Sequence, residues 1–557
     1  MANVILTPVT LWKDFNDTLP LKREKLSEKI EETYLVREVT FLGREAADGR
    51  VKIYARYYRP LNKETCPAVM ILFEAGCPLD ETFALRFVKM GYAVLCPDYC
   101  GEGCWEKHTE YPKSIDYANY QRVGRHMDYA EPTAKETSWY EWAAVARYAA
   151  KYLSLKKDIT GFGAIGLRTG GEILFKVAPY APFKCFVSVC AAGWLAYRGK
   201  EKFSGGVLTF DEERHRFIAG IDSQSYAPHV KCPVLLLSAI NDPKYNYDRI
   251  YDTFQQISPS VEKAILFSAH GNGLIGGHSL INLDLFLSKY LKNREIFVSE
   301  PVALSVGEDE EGRLVAKAAF DPGGKIVECG IFYTEKIKGY QTRDWTRVLG
   351  RSEDIVDNVC TLPIDVYTGS QKVLVYAFVR YSNDFSLTSK IQEVTIEKPY
   401  TNACPKSRVL YTASDGLNGF VAYRRREKSI ADCFTDGSSA DLHLTPGYGG
   451  ILGVTAKAGI LSYRVSEPRY APDPSAVLRF DAYSVHGAVL KVSCFRGETE
   501  EFSCRVTVQG GGKWKDVILD AGEFKSERGV TLSDFTEASA LLIVFEGEAV
   551  VNNVLWL

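Results

Sequence analysis

The stretch AIGLRTGGEIL, Ala164–Leu174, sets a short apolar run against a glycine-flanked turn and the start of a helical pattern. A strand–turn–helix of this kind pushes one side chain above the end of a sheet. Gly166, Gly170 and Gly171 supply the small neighbours that so sharp a turn needs. The side chain at its apex is Arg168. A guanidinium keeps its proton up to a pKa above about 12 and has no usable lone pair, so it cannot do what a serine or cysteine does when a base takes its proton. It also sits where the helix dipole disfavours a cation. Arg168 therefore calls for an anion: Glu172 one turn along, a carboxylate from another loop, or a bound carboxylate or phosphate that fits its planar fork.

The elements that must hold this turn are legible over residues 36–295, where short apolar runs alternate with helical patterns and imply a mainly parallel sheet covered on both faces. PAVMILFEAG, YAVLCPDY, GFGAIGL, FKCFVSVCA, CPVLLLSAIND and EKAILFSAH are the strand candidates, and VREVTFLG with RVKIYARYYRP around ADG reads as a hairpin at the sheet edge. SWYEWAAVARYAAKYL reads as a helix with Ser138 and Glu141 in capping-box positions, and SLINLDLFLSKYLKN as the closing helix. Between Cys190 and His229 the periodicity fades, which suits a cap over the strand ends.

The composition is that of an ordinary soluble protein. The chain has 557 residues, 46% apolar and 25% charged, with a formal net charge of -3. That length implies several domains, and the charge does not suit a nucleic-acid or membrane partner. No basic, apolar leader opens the sequence, and CFVSVCAAGWLAY is too short to span a bilayer. The 14 cysteines form no CxxC pair, so they read as reduced thiols of a cytoplasmic protein with no metal or other cofactor.

Four pieces occur in one order: PDYCGEG, GLRTGG, LLLSAINDPKYN and ILFSAHGNG. Together they make residues 36–295 resemble the α/β-hydrolase superfamily, particularly its acetyl xylan esterase and dienelactone hydrolase branches. The resemblance implies that Arg168 stands at the nucleophile position, Asp242 at the acid and His270 at the base, with His278 as the other candidate base. It also places Glu74 and Cys77, in EAGCP, where the family builds part of its oxyanion hole. A carboxylate there repels the charge that the hole must stabilise. Cys77 is a possible thiolate nucleophile, and more plainly a loop thiol. Thr169 points away from the apex. Asp242 and Glu74 join Glu172 as candidate partners of Arg168.

Beyond NREIFVSEP the rhythm turns to strands alone. About a hundred residues fit an immunoglobulin-like sandwich serving as a spacer, and the remainder from about Arg408 a second sandwich of jelly-roll type. GGGKWKDVILD and AVVNNVLWL resemble galactose-binding jelly rolls of carbohydrate-active proteins, with Trp514 and Trp556 both expected in the core. The expected architecture is an α/β-hydrolase-like domain over 1–298, an immunoglobulin-like domain over 299–400 and a jelly roll over 401–557. The leading functional expectation is a pseudo-hydrolase binding a small anionic or carbohydrate-derived ligand through Arg168, Glu74, Cys77 and Thr169. An active esterase with a non-standard nucleophile or an activated water, and a structural assembly protein, are the alternatives.

Overall fold

The computed structural model describes residues 5–103, 105–203, 205, 208–242, 245, 247–268, 277–423, 442–497 and 499–557. They form two compact units, the first made of residues up to Phe267 with Ser279–Val298, the second chiefly of the residues from Ser299 onward.

The first unit is built on a nine-stranded sheet: β1 (Glu24–Ile30), β2 (Tyr34–Ala46), β3 (Gly49–Pro60), β4 (Cys66–Leu72), β5 (Ala93–Pro97), β6 (Ile159–Leu167), β7 (Phe186–Val189), β8 (Val234–Ala239) and β9 (Lys263–Ser268). Their spatial order is β1-β2-β3-β5-β4-β6-β7-β8-β9. The β4/β5, β4/β6, β6/β7 and β7/β8 pairs are parallel. β4, β5, β7 and β8 are buried almost throughout, which is why they read as unbroken apolar runs rather than alternating ones. The β2–β3 hairpin closes at Ala46↔Gly49. Strand β1 has no counterpart among the sequence expectations. Every residue of EKLSEKI is exposed, so no apolar alternation marks it, and its charges blunt the sheet edge.

The helix Ser138–Ser154 departs from its expected cap. Thr137 is the capping residue, its Oγ1 accepting from Tyr140 N at 3.2 Å. Ser138 is the first helical residue and its hydroxyl donates to Tyr117 O at 2.8 Å. Glu141 is fully buried and ion-paired with the half-buried Arg44, so that pairing takes the carboxylate away from the reciprocal capping box. Among the described residues no helix is long and apolar enough to cross a membrane.

Among its described residues from Ser299 onward, the second unit is built of strands joined by loops and single 3-10 turns, without an α-helix. A four-stranded and a five-stranded antiparallel sheet span Ala303–Thr395, and two six-stranded sheets follow residue 408. In the latter pair, Leu478, Phe480 and Ala482 of one sheet and Leu490, Val492 and Ile543 of the other share a single apolar core. The middle sheets are no loose spacer within this unit. Glu467 is buried, and its carboxylate accepts from Thr334 Oγ1 at 2.7 Å, from the amides of Glu335 and Lys336 at 3.1 Å, and from Asp344 N at 2.9 Å. A second buried contact joins Arg464 to Asp344 at 3.4 Å. Trp556 lies in the core at 3% exposure. Trp514 does not: it is half-buried, stacked at a tilt against Tyr483 with ring centroids 5.5 Å apart. The strand Lys513–Leu519 buries Val517 and Leu519, which leaves Trp514 and Tyr483 outside the shared core.

Candidate functional site

The site is built where β4, β6 and β8 end. Arg168 is the residue between β6 and the helix Thr169–Val177, in a left-handed conformation with φ 51° and ψ -111°. A non-glycine residue there is strained, and the surroundings explain how it is held. A Cβ on Gly170 would lie 2.1 Å from Leu72 O of β4, one on Gly166 2.5 Å from Gly170 O, and one on Gly171 2.7 Å from the Ser188 hydroxyl. The three glycines let helix and strands close on the turn. Arg168 N donates to Val189 O at 2.8 Å and its carbonyl accepts from Glu172 N at 3.1 Å, so the backbone is fixed on both sides.

The Arg168 side chain is 5% exposed and lies between two carboxylates: Nη2 is 3.2 Å from Asp242 Oδ2, and Nε is 3.6 Å from Glu74 Oε2. Glu74 follows β4 in a tight turn closed by Cys77 N donating to Glu74 O at 3.1 Å. Gly76 is required there, because it has φ 76° and a Cβ would sit 2.1 Å from the Tyr120 ring. Cys77 Sγ lies 3.9 Å from Glu74 Oε2, and Trp105 Nε1 donates to Cys77 O at 3.1 Å. Asp242 follows β8 after Asn241, whose φ is 66°. Asp242 Oδ1 accepts from Tyr245 N at 3.1 Å, and the Tyr245 hydroxyl lies 3.4 Å from Thr169 Oγ1. Thr169 thus braces the loop that carries Asp242.

Of the residues picked from sequence, Arg168, Glu74, Asp242 and Cys77 converge, with Thr169 one contact away. Glu172 does not pair with Arg168. It is buried, accepting from Ala192 N at 2.6 Å and from the Ser223 hydroxyl. His270 lies outside the described residues. His278 is the second residue of the helix Gly277–Lys292 and is exposed.

Sequence reasoning missed the charges behind the elbow. Lys176, two turns along the same helix, is 1% exposed, donates to Glu172 O at 3.0 Å and lies over the rings of Trp139 and Tyr226. Burial lowers its ammonium to about 8, partly offset by Glu172. Asp222, fully buried, accepts from Ala196 N at 3.0 Å. Burial, then Glu172, pushes its carboxyl up to about 6. Glu172 and Asp222 together pin the segment after β7, where Cys190, Ala192 and Trp194 all have positive φ. The only sequence signal was charge on an otherwise apolar helix face.

No family model and no curated protein matches the sequence. Among solved structures, an acetyl xylan esterase from Paenibacillus sp. R4 aligns at 14% identity and a TM-score of 0.41, over 52% of this chain and 96% of that one. Acetyl xylan esterase 1 from Thermoanaerobacterium sp. JW/SL YS485 aligns at 16% and 0.39, over 50% and 92%. An acylaminoacyl peptidase from Pyrococcus horikoshii aligns at 15% and 0.34, over 50% of this chain and 51% of that one. The first unit itself shows a nine-stranded, centrally parallel sheet with a tight strand–turn–helix elbow after β6.

Proposed function

We propose that this chain is a hydrolase-fold protein of carbohydrate-esterase ancestry in which the covalent step is lost and the elbow arginine ties together the walls of the former catalytic cleft. One observation carries this reading: the apex of the turn projects a guanidinium, 3.2 Å from Asp242 and 3.6 Å from Glu74, in place of a hydroxyl. A substrate carbonyl placed over that apex would meet the Glu74 carboxylate where acyl transfer needs hydrogen-bond donors for a developing negative charge. The same pairing narrows the ligand. An anion would have to displace one of two carboxylates already matched to Arg168, so a neutral, sugar-derived molecule suits the cleft better. The β-rich second unit, read as an immunoglobulin-like sandwich joined to a jelly roll, fits a protein that works by binding.

Serine-directed fluorophosphonates test this reading. The purified chain is expected to remain unlabelled and to turn over no acetyl ester. Labelling at any residue of the 166–171 turn, or ester turnover, would overturn it in favour of an active hydrolase. Arg168→Ser alone is expected to stay poor while Glu74 faces the site, and Arg168→Ser with Glu74→Gly to recover measurable esterase activity.

A further inference from the structure

The middle sheets of the second unit carry two cysteines that the functional reading leaves unused. Cys329 lies on the strand Ile326–Thr334 of the five-stranded sheet, and Cys360 on Val359–Pro363 of the four-stranded sheet. Each is 1% exposed. Their sulfurs share one small space next to Gly350: a Cβ there would lie 2.6 Å from Cys360 Sγ, closer than real contacts allow, and 3.0 Å from Cys329 Sγ, a tight contact. Gly350 is anchored by its amide, which donates to Cys329 O at 2.9 Å. Its lack of a side chain is what lets two thiols from facing sheets meet. The thiols interact directly, and the contact eases proton loss at Cys329 while making it harder at Cys360. Disulfide exchange starts from one thiolate and ends when a second sulfur within reach attacks it, and the direct contact supplies that second sulfur.

We propose that Cys329 and Cys360 form a disulfide that staples the two sheets of the middle β body when the chain meets an oxidising thiol–disulfide couple. The Cys329 thiolate attacks one sulfur of a low-molecular-weight disulfide such as oxidised glutathione, breaking its S–S bond and releasing one thiolate. Cys360 then gives up its proton and attacks the Cys329 sulfur, breaking the mixed disulfide and releasing the second thiolate. Two protein thiols are oxidised, one small disulfide is reduced, and the two protons end on the released thiols. Because both sulfurs are buried, exchange occurs during folding or local opening. The bond would close a loop of about 30 residues and limit the unfolded chain accordingly.

The test uses the full chain, equilibrated with reduced or with oxidised glutathione under mildly denaturing conditions and returned to native buffer for the melt, then unfolded in denaturant with an alkylating reagent and digested with trypsin without reductant. IVECGIFYTEK (326–336) and SEDIVDNVCTLPIDVYTGSQK (352–372) each contain one cysteine, so the bond appears as these two peptides joined. The expected result is that joined pair in the oxidised sample alone, with Tm raised by several degrees over the reduced sample. Cys329→Ala should abolish the rise. Recovery of both peptides alkylated after oxidising equilibration, or of either joined to another cysteine, would overturn the proposal without recourse to any variant.

Discussion

Arg168 holds a strained backbone, a helix N-terminus unfavourable to cations and a nearly closed environment, and it does so because Asp242 and Glu74 answer its charge from neighbouring strand ends. Removing one partner of a buried pair strands the others, at a cost of about 3 to 5 kcal/mol. Arg168→Ala is therefore expected to lower Tm by several degrees, and Arg168→Ala with Asp242→Asn by less than the sum of the two single changes. Calorimetry on the four proteins checks this; additive losses would mean that the pair contributes nothing as a pair. Behind the elbow the expectation concerns pH. The Asp222 carboxyl rises from an ordinary 3.8 to about 6 on burial, so between those values the folded chain binds more protons than the unfolded one. Its contribution to stability falls as pH rises through that window and is constant above it. Asp222→Asn removes the titration. The stability of the variant relative to the native chain should increase by about 2 to 3 kcal/mol from pH 4 to pH 6, read by denaturant melts. Lys176 has the opposite slope: its ammonium, lowered to about 8, loses its penalty as pH climbs above that value.

At the scale of elements, the elbow is a packing solution before it is a chemical one. The helix Thr169–Val177 approaches β4 so closely that Gly170 faces Leu72 O with no room for a methyl group. Gly170→Ala is expected to destabilise the first unit by about 3 kcal/mol or more, since backbone on one side has to move, while an alanine at the exposed Gly522 should be nearly neutral. A fall in Tm for the first and none for the second is the readout. The glycines were legible as the mark of a tight turn from spacing alone. The strands β4 to β8 were equally legible, because two-sided burial writes itself as continuous apolar sequence. Strand β1 was not, since an exposed edge strand carries no apolar pattern. The cap at Thr137 was also missed, because the half-buried Arg44, 97 residues away in sequence, pairs with Glu141 and draws it inward.

For the whole molecule, the two β bodies of the second unit are joined through Glu467, whose carboxylate satisfies three amides and a hydroxyl of the other body. Left alone, residues 299–400 would keep those donors without their buried acceptor. A chain of residues 299–557 is expected to unfold in one cooperative transition, and Glu467→Ala to split or broaden it. Two separate transitions in the unaltered 299–557 chain would show that the junction adds no cooperativity. Periodicity and composition already carry the alternation of the first unit, the strand-rich character of the second and the presence of an arginine where a turn exposes one side chain. These are local properties, set by periodicity and by the steric demands of glycine. Packing in three dimensions sets the rest: Glu74 and Asp242 answer Arg168 while Glu172 does not, Trp514 leaves the core that Trp556 joins, and two thiols 31 residues apart share one space. Each of those outcomes depends on which strand ends lie side by side. Burial then raises the cost of an unmatched charge so far that the fold selects the partners, and sequence distance carries no record of that choice.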